Sequence, residues 1–272
     1  MLLAVLVWLL AGGIVALFAL RWWWFPPAIS QHARDFDDNF TLTLWLTGAV
    51  FLVAQVVLGW VIFRYRNRRE PSPSGHSHTR LELLWTAAAT VLFVGIAVLS
   101  TRIWAGVHLD APPGDAMRVE LLGKQFAFSF RYPGRDGRFG RLDLRQINDS
   151  SGNPFGIDEK DPAGRDDITT AALRVPAGRE IVLLMRSRDV IHNFFVRELR
   201  LKQDVVPGME IPLRFTAEKP GEYEVACSEL CGLGHHQMRT MLIALAPAAF
   251  DAWLLQMHEQ VQAQYQTQPE TR

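Results

Sequence analysis

Three long apolar runs without a single charge occupy the first part of the chain, at 1–20, 40–63 and 83–101, the last continued beyond Arg102 by 103–107. Each is close to the roughly 20 residues that a helix needs to cross a bilayer. The pattern predicts N-terminal transmembrane α-helices with spans near 1–20, 40–63 and 83–105, making 1–109 a membrane region. From Asp110 onward no comparable run recurs. Short alternating segments follow instead, at 118–122, 126–132, 181–185, 193–196, 211–216, 222–226 and 241–246, punctuated by glycine and proline. They predict an antiparallel all-β sandwich over 110–272. A last stretch, 250–264, has helical spacing with a glutamine-rich polar face, and is expected to be a solvated helix that caps the sandwich.

The first apolar run has two readings, a signal peptide or a spanning helix. Secretory signals begin with positive charge and end at a small-residue cleavage site. Here no Lys or Arg precedes the run, and Arg21-Trp22-Trp23-Trp24 follows it. An uncleaved helix with an interfacial tryptophan belt fits better. The expected number of membrane helices is therefore two or three.

With 49% hydrophobic residues and a formal net charge of zero over 272 residues, composition leaves the class open. The placement of charge is more telling. Arg64-Tyr65-Arg66-Asn67-Arg68-Arg69 lies between the second and third runs, followed by a Pro/Ser/Gly/His linker and Arg80, with Glu70 the only acid. Short arginine-rich loops stay in the cytoplasm. Asp35, Asp37 and Asp38 precede the second run, against Arg21 and Arg34. The expectation is a multi-pass protein of a bacterial-type inner membrane, with its β domain on the periplasmic face and no nucleic-acid partner.

The chemistry concentrates in residues 227–238, Cys-Ser-Glu-Leu-Cys-Gly-Leu-Gly-His-His-Gln-Met, which hold the only two cysteines. Thiolate, imidazole and thioether form a soft ligand set that suits copper, whereas structural zinc draws its four ligands from Cys and His. A Cys227–Cys231 disulfide is the alternative on the oxidising side of a membrane, though it has no use for His235 or Met238. His192, within Asp-Val-Ile-His-Asn-Phe at 189–194, is either a satisfied core histidine or a further ligand. Residues 143–170 are rich in carboxylates, but their spacing does not fit an EF-hand, so a polar surface loop is expected. The chain carries no Ser-His-Asp set, glycine-rich phosphate loop or Cys-x-x-Cys-His haem signature.

Asp-Val-x-His and, thirty-five residues after His192, Cys-Ser-Glu-x-Cys-Gly-x-x-His-x-x-Met together resemble subunit II of the haem-copper respiratory oxidases, cytochrome c oxidase among them. That subunit holds the dinuclear copper A centre. The resemblance implies a cupredoxin-like sandwich in which Cys227 and Cys231 bridge two coppers and His192 and His235 each supply an imidazole. Met238 and the backbone carbonyl of Glu229 would be weak outer ligands, and the Glu229 side chain would reach a magnesium or manganese ion at the subunit boundary. His236 sits beside the motif position. The implied partners are subunit I, which reduces dioxygen and pumps protons, subunit III and a cytochrome c donor. A copper A subunit of a nitric oxide reductase and a non-redox assembly subunit are the competing readings. The complete set of ligand side chains argues against the second.

Two further segments resemble the family. Leu81-Glu82-Leu83-Leu84-Trp85-Thr86 is similar to the start of its second helix, where the matching glutamate lies at the mouth of a proton pathway; a carboxylate in the headgroup region is the plainer reading of Glu82. Where the family commonly has proline, this chain has Ala87-Ala88-Ala89-Thr90. Gln125-Phe126-Ala127-Phe128-Ser129-Phe130 is similar to the aromatic segment that receives the electron, with Phe126 in the place of a tryptophan. Arg131, Arg135, Arg138 and Arg141, against Asp136 and Asp143, follow where the family often shows acids. Charge complementarity controls docking, so a donor that is not strongly basic is expected.

Overall fold

The structure, a computed structural model, describes residues 1–20, 25–67, 78–158 and 160–267. The expected tryptophan belt at 22–24 and the loop residues Arg68, Arg69 and Glu70 lie outside the described residues. Three apolar helices come first: α1 (Leu2–Leu20), α2 (Gln31–Tyr65) and α3 (Thr79–His108). All three are long and apolar enough to cross a membrane. The chain forms two compact units, one of Met1–Phe25 with Asp35–Trp104, the other of Pro26–Arg34 with the chain from Ala105 on.

Within the helical unit, Ala4 and Ala11 are buried on one face of α1, as residues seven apart on a helix are. Between them the Trp8 indole donates to the Val56 carbonyl at 3.3 Å. It fits there because α2 carries Gly59, where a Cβ would lie 2.2 Å from the indole nitrogen. Asn39 of α2 donates to Ser100 of α3 at 2.9 Å. Small residues and interhelical hydrogen bonds are how helices associate where no hydrophobic effect drives them together.

The second unit is a β-sandwich. Its strands are β1 (Met117–Lys124), β2 (Ala127–Tyr132), β3 (Ile168–Thr170), β4 (Leu173–Pro176), β5 (Glu180–Ser187), β6 (His192–Val196), β7 (Leu201–Val205), β8 (Ile211–Thr216), β9 (Gly221–Ala226) and β10 (Arg239–Leu245), followed by α4 (Pro247–Thr267). One sheet has the order β3-β2-β1-β5-β8 and the other β4-β10-β9-β6-β7. Period-two alternation drives the packing: Val119 and Leu121, Phe128 and Phe130, Ile181, Leu183 and Met185, Leu213 and Phe215, and Phe194 and Val196 all turn inward into one core. Burying each such side chain contributes about 1.5–3 kcal/mol.

The antiparallel expectation needs correction at two places, since β1 pairs with β5 and β10 with β4 in parallel. Parallel neighbours require long crossovers, and the chain between Tyr132 and Glu180 provides one. Alternation also missed β3, β4 and β7, which are short. Residues 247–267 are more than a solvated cap: Phe250 is buried, and Trp253 meets the rings of Tyr132 and Phe250 at 5.3 and 5.4 Å. Residues 26–34 belong to the same core. Ile29 is buried in it, its backbone bonded to Glu198 and Glu218 at 3.2 and 2.8 Å, and Arg34 forks onto the Glu218 carboxylate at 2.8 and 3.0 Å.

Candidate metal centre

The loop from Cys227 to Met238 begins where β9 ends and finishes where β10 starts. Its two ends are pinned together, because Ala226 pairs with Arg239 and the Cys227 amide donates to the Met238 carbonyl at 3.0 Å. Inside it a 3-10 turn, His235–Gln237, is held by His235 N–H to Gly232 O at 3.1 Å and Met238 N–H to His235 O at 3.2 Å. His192 opens β6, whose Phe195 pairs with Ala226 of β9. The adjacent strands thus bring a histidine and the cysteine loop to the same end of one sheet.

There the sequence-predicted residues converge. The ligand atoms of His192, Cys227 and Cys231 lie within 4.8 Å of one another, and all three residues are buried. Cys231 Sγ stands 3.8 Å from Cys227 Sγ, 3.7 Å from His235 Nδ1 and 3.7 Å from Met238 Sδ. The Glu229 carbonyl oxygen is 3.2 Å from Cys227 Sγ. Both cysteines are free, and their separation is far beyond the roughly 2.05 Å of a disulfide. The structure therefore speaks against the disulfide alternative.

The electrostatics favour a cation at this point. Burial, then the neighbouring Cys227, pushes the Cys231 thiol up to about 11. Two thiolates in such surroundings need positive charge between them. His192 Nε2 lies 2.7 Å from Asp189 Oδ1, while Nδ1 is buried with no partner among the described residues. A carboxylate accepts only, so it holds the proton on Nε2 and leaves the Nδ1 lone pair available. Burial raises the Asp189 carboxyl, but donations from Gln125 N–H, His192 and Val190 N–H outweigh it and hold the group below the usual carboxylate range. An orphaned buried nitrogen beside two thiols and a thioether fits a soft metal ion.

Phe126 lies against this loop. A Cβ at Gly234 would fall 2.4 Å from the Phe126 ring, and one at Gly232 3.1 Å from it. The glycines let the ring rest on the loop backbone while 39% of the residue stays exposed. Gln125 was not expected from the sequence: its side chain donates to the Cys231 carbonyl at 2.6 Å and its amide to Asp189 at 2.7 Å. Its only sequence signal is adjacency to Phe126. Gly123 was also missed; a Cβ there would come within 3.0 Å of the His192 ring. Glu82 sits in the first turn of α3, in the helical unit, and is not among the clustered residues.

Residues 117–245 match the family model for the periplasmic domain of cytochrome C oxidase subunit II, and 19–103 match the model for its transmembrane domain. The chain is 36% identical over 258 residues to the alternative cytochrome c oxidase subunit 2 of Bradyrhizobium diazoefficiens, covering 94% of this chain and 92% of that one. The chain belongs to the cytochrome c oxidase subunit II family. Subunit 2 of the Synechocystis sp. oxidase is 30% identical over 246 residues, which cover 84% of this chain and 74% of that one. The crystal structure of the periplasmic domain of subunit II from Bradyrhizobium japonicum matches 56% of this chain and 99% of its own, at 25% identity and a TM-score of 0.41.

The arginines of this subunit II chain present less positive charge than their sequence implies. Arg131 is fully buried, paired with Asp167, with Glu120 at 2.9 Å and with the Gly140 carbonyl at 2.6 Å. Arg141 stands between Asp158 and Asp161, at 3.2 and 3.5 Å. Carboxylates of the 143–170 loop are likewise engaged: Asp143 accepts from Arg145 N–H, Asp161 from Arg141 N–H, and Asp166 from Arg135 N–H. Asp149 bridges Lys124 at 2.5 Å and Arg188 at 2.9 Å, the residues preceding Gln125 and Asp189. The loop is thereby tied to both shoulders of the candidate metal site.

Proposed function

We infer that the chain is the electron-accepting subunit of a respiratory haem-copper terminal oxidase. It takes electrons from a c-type cytochrome on the periplasmic side and delivers them to haem in subunit I, where dioxygen is reduced with proton translocation; subunit III completes the assembly. The observation that carries this reading is the buried meeting of His192, Cys227 and Cys231 with a histidine nitrogen that has no partner among the described residues. The membership of the family, and a relative named as an oxidase subunit that is matched over nearly its whole length, support it.

Cys227, Cys231, His192, His235 and Met238, with the Glu229 carbonyl, would hold two copper ions. When bound, such a pair supplies a one-electron relay that changes little in geometry between its redox states. The remaining work belongs to the protein. Asp189 orients the His192 ring, burial keeps water from the sulfurs, and the paired ends of the loop keep the donors in place. Phe126, resting on Gly232 and Gly234, is the point at which the electron arrives. The Glu229 side chain would be the group that holds a magnesium or manganese ion at the boundary with subunit I, and Glu82 would lie at the mouth of a proton pathway into that subunit. The membrane region is drawn from residues 1–109, of which Pro26–Arg34 and the chain from Ala105 pack with the outward-facing domain of 110–272. Arg64 and Arg66 lie at the cytoplasmic end of α2, as arginine-rich loops do.

Electron paramagnetic resonance of the copper-loaded protein tests the reading. An electron shared by two coppers produces a seven-line pattern, which His192→Ala is expected to abolish. A four-line pattern, or a spectrum that survives the substitution, overturns the ligand assignment.

A further inference from the structure

Beside the candidate metal site runs a chain of side chains that the ligand set does not use. Asn193, next to His192 in β6, is almost wholly buried. Its Oδ1 accepts from the Ser228 hydroxyl at 2.7 Å, and Ser228 is next to Cys227. Its Nδ2 donates to Asp204 Oδ1 at 2.6 Å, and Asp204 is its cross-strand partner in β7. The direction of the chain follows from chemistry, since a carboxylate only accepts and so compels the amide nitrogen to face Asp204 and the amide oxygen to face Ser228. One residue beyond the histidine is thus tied to one residue beyond the first cysteine.

We propose that Asn193 is a positioning residue, a cross-brace anchored on Asp204 that sets the place of Cys227 relative to His192 through Ser228. The inference rests on the functional reading above in that the braced residues are copper ligands there. The backbone ladder alone leaves this side of the loop loosely specified: β6 and β9 share a single registered pair, Phe195 with Ala226. Beyond it, the Cys227 amide is bonded toward β10, at the Met238 carbonyl, and the Ser228 to Asn193 bond is what ties the loop to the strand that carries His192. A charge-assisted partner strengthens the amide's other bond and makes the whole chain polar in one direction.

The test uses the full-length protein with two readouts, the copper hyperfine pattern and the rate at which a thiol reagent modifies the metal-free protein. Asn193→Ala is expected to distort the seven-line pattern and to speed thiol modification by about tenfold, the scale of one lost hydrogen bond. Ser228→Ala, which leaves the buried strand untouched, is expected to act in the same direction and so covers the case in which Asn193→Ala does not fold. N193D sets two carboxylates against each other and is expected to be at least as disruptive. N193D/D204N allows both hydrogen bonds again with one carboxylate exchanged for an amide, and is expected to return both readouts toward the parent. Ser228→Ala within twofold of the parent in thiol rate and unchanged in hyperfine pattern overturns the proposal, as does a double variant no better than N193D. A parent protein that lacks the seven-line pattern sinks the copper reading instead, while the metal-free thiol rates still decide the brace.

Discussion

Asp189 Oδ1 stands 2.7 Å from His192 Nε2, and this contact decides which ring nitrogen of His192 faces a metal. With the proton held on Nε2, Nδ1 carries the ring's free lone pair, and the described residues offer it no partner. A buried acceptor in that condition costs about 1–3 kcal/mol, which metal binding relieves. The orphaned nitrogen is therefore a standing cost to the ligand-free protein.

Asp189→Asn removes the charge that fixes this tautomer and makes the imidazole a better donor. Copper affinity is expected to fall by roughly 10–100-fold, read by competition with a chelator. An unchanged affinity shows that the carboxylate does not govern the ring.

Phe126 and Gly234 form a pair in which neither tolerates enlargement of the glycine. Gly234→Ala is expected to push the ring off the loop and slow reduction by a cytochrome at least several-fold, while the copper spectrum stays recognisable. Phe126→Ala is expected to do the same, and Phe126→Trp to retain fast reduction. Equal stopped-flow rates for Phe126→Ala and parent remove Phe126 from the electron's path.

The donor's charge is open to a direct comparison. Because Arg131 is buried and Arg141 flanked by acids, Arg135 and Arg138 are the exposed arginines of that segment without such flanking carboxylate pairs to offset a donor's positive charge. Reduction by a neutral or acidic cytochrome is expected to be at least as fast as by a basic one across salt concentrations. A basic donor that wins at low salt refutes the expectation.

Arg131 itself is a stability residue. Arg131→Met leaves Asp167 buried without its counter-charge and Glu120 with Arg186 at 3.7 Å as its remaining cation, a loss of about 3–5 kcal/mol. Thermal unfolding followed in the intact protein is expected to show a midpoint lower by roughly 10 °C, with the copper spectrum of the folded protein preserved. A shift of a degree or less contradicts the account.

Asp149 supplies a pH signature. Hydrogen bonds from Arg188 and Lys124 lower its carboxyl from 3.8 to about 2. A group depressed in the folded state stabilises fully above its unfolded value, and that contribution is lost as the pH falls through the folded one. The charge contribution is thus present above pH 3.8 and gone below about 2. Asp149→Asn is expected to be slightly less stable than the parent at neutral pH in low salt, with the gap closing over that window. Thermal midpoints that stay equally separated at both ends of it count against the ion pairs.

Much of this protein was legible along the chain. Uncharged runs of bilayer length specify the three helices whatever surrounds them, because the cost of exposing or burying a backbone is local to each segment. The spacing from Asp189 to Met238 likewise announced the candidate ligands, since a soft donor set is a matter of residue type. Other features were decided only by the fold. Gln125 meets Cys231 across 106 positions, and Ser228 meets Asn193 across 35. Arg131, which alternation and charge alone place on a basic surface, lies inside an ion cluster closed by Asp167. Periodicity and composition describe what a residue prefers among its chain neighbours, whereas these contacts depend on which strands the crossovers set side by side. That choice is made by the packing of the whole core and is not written in any one segment.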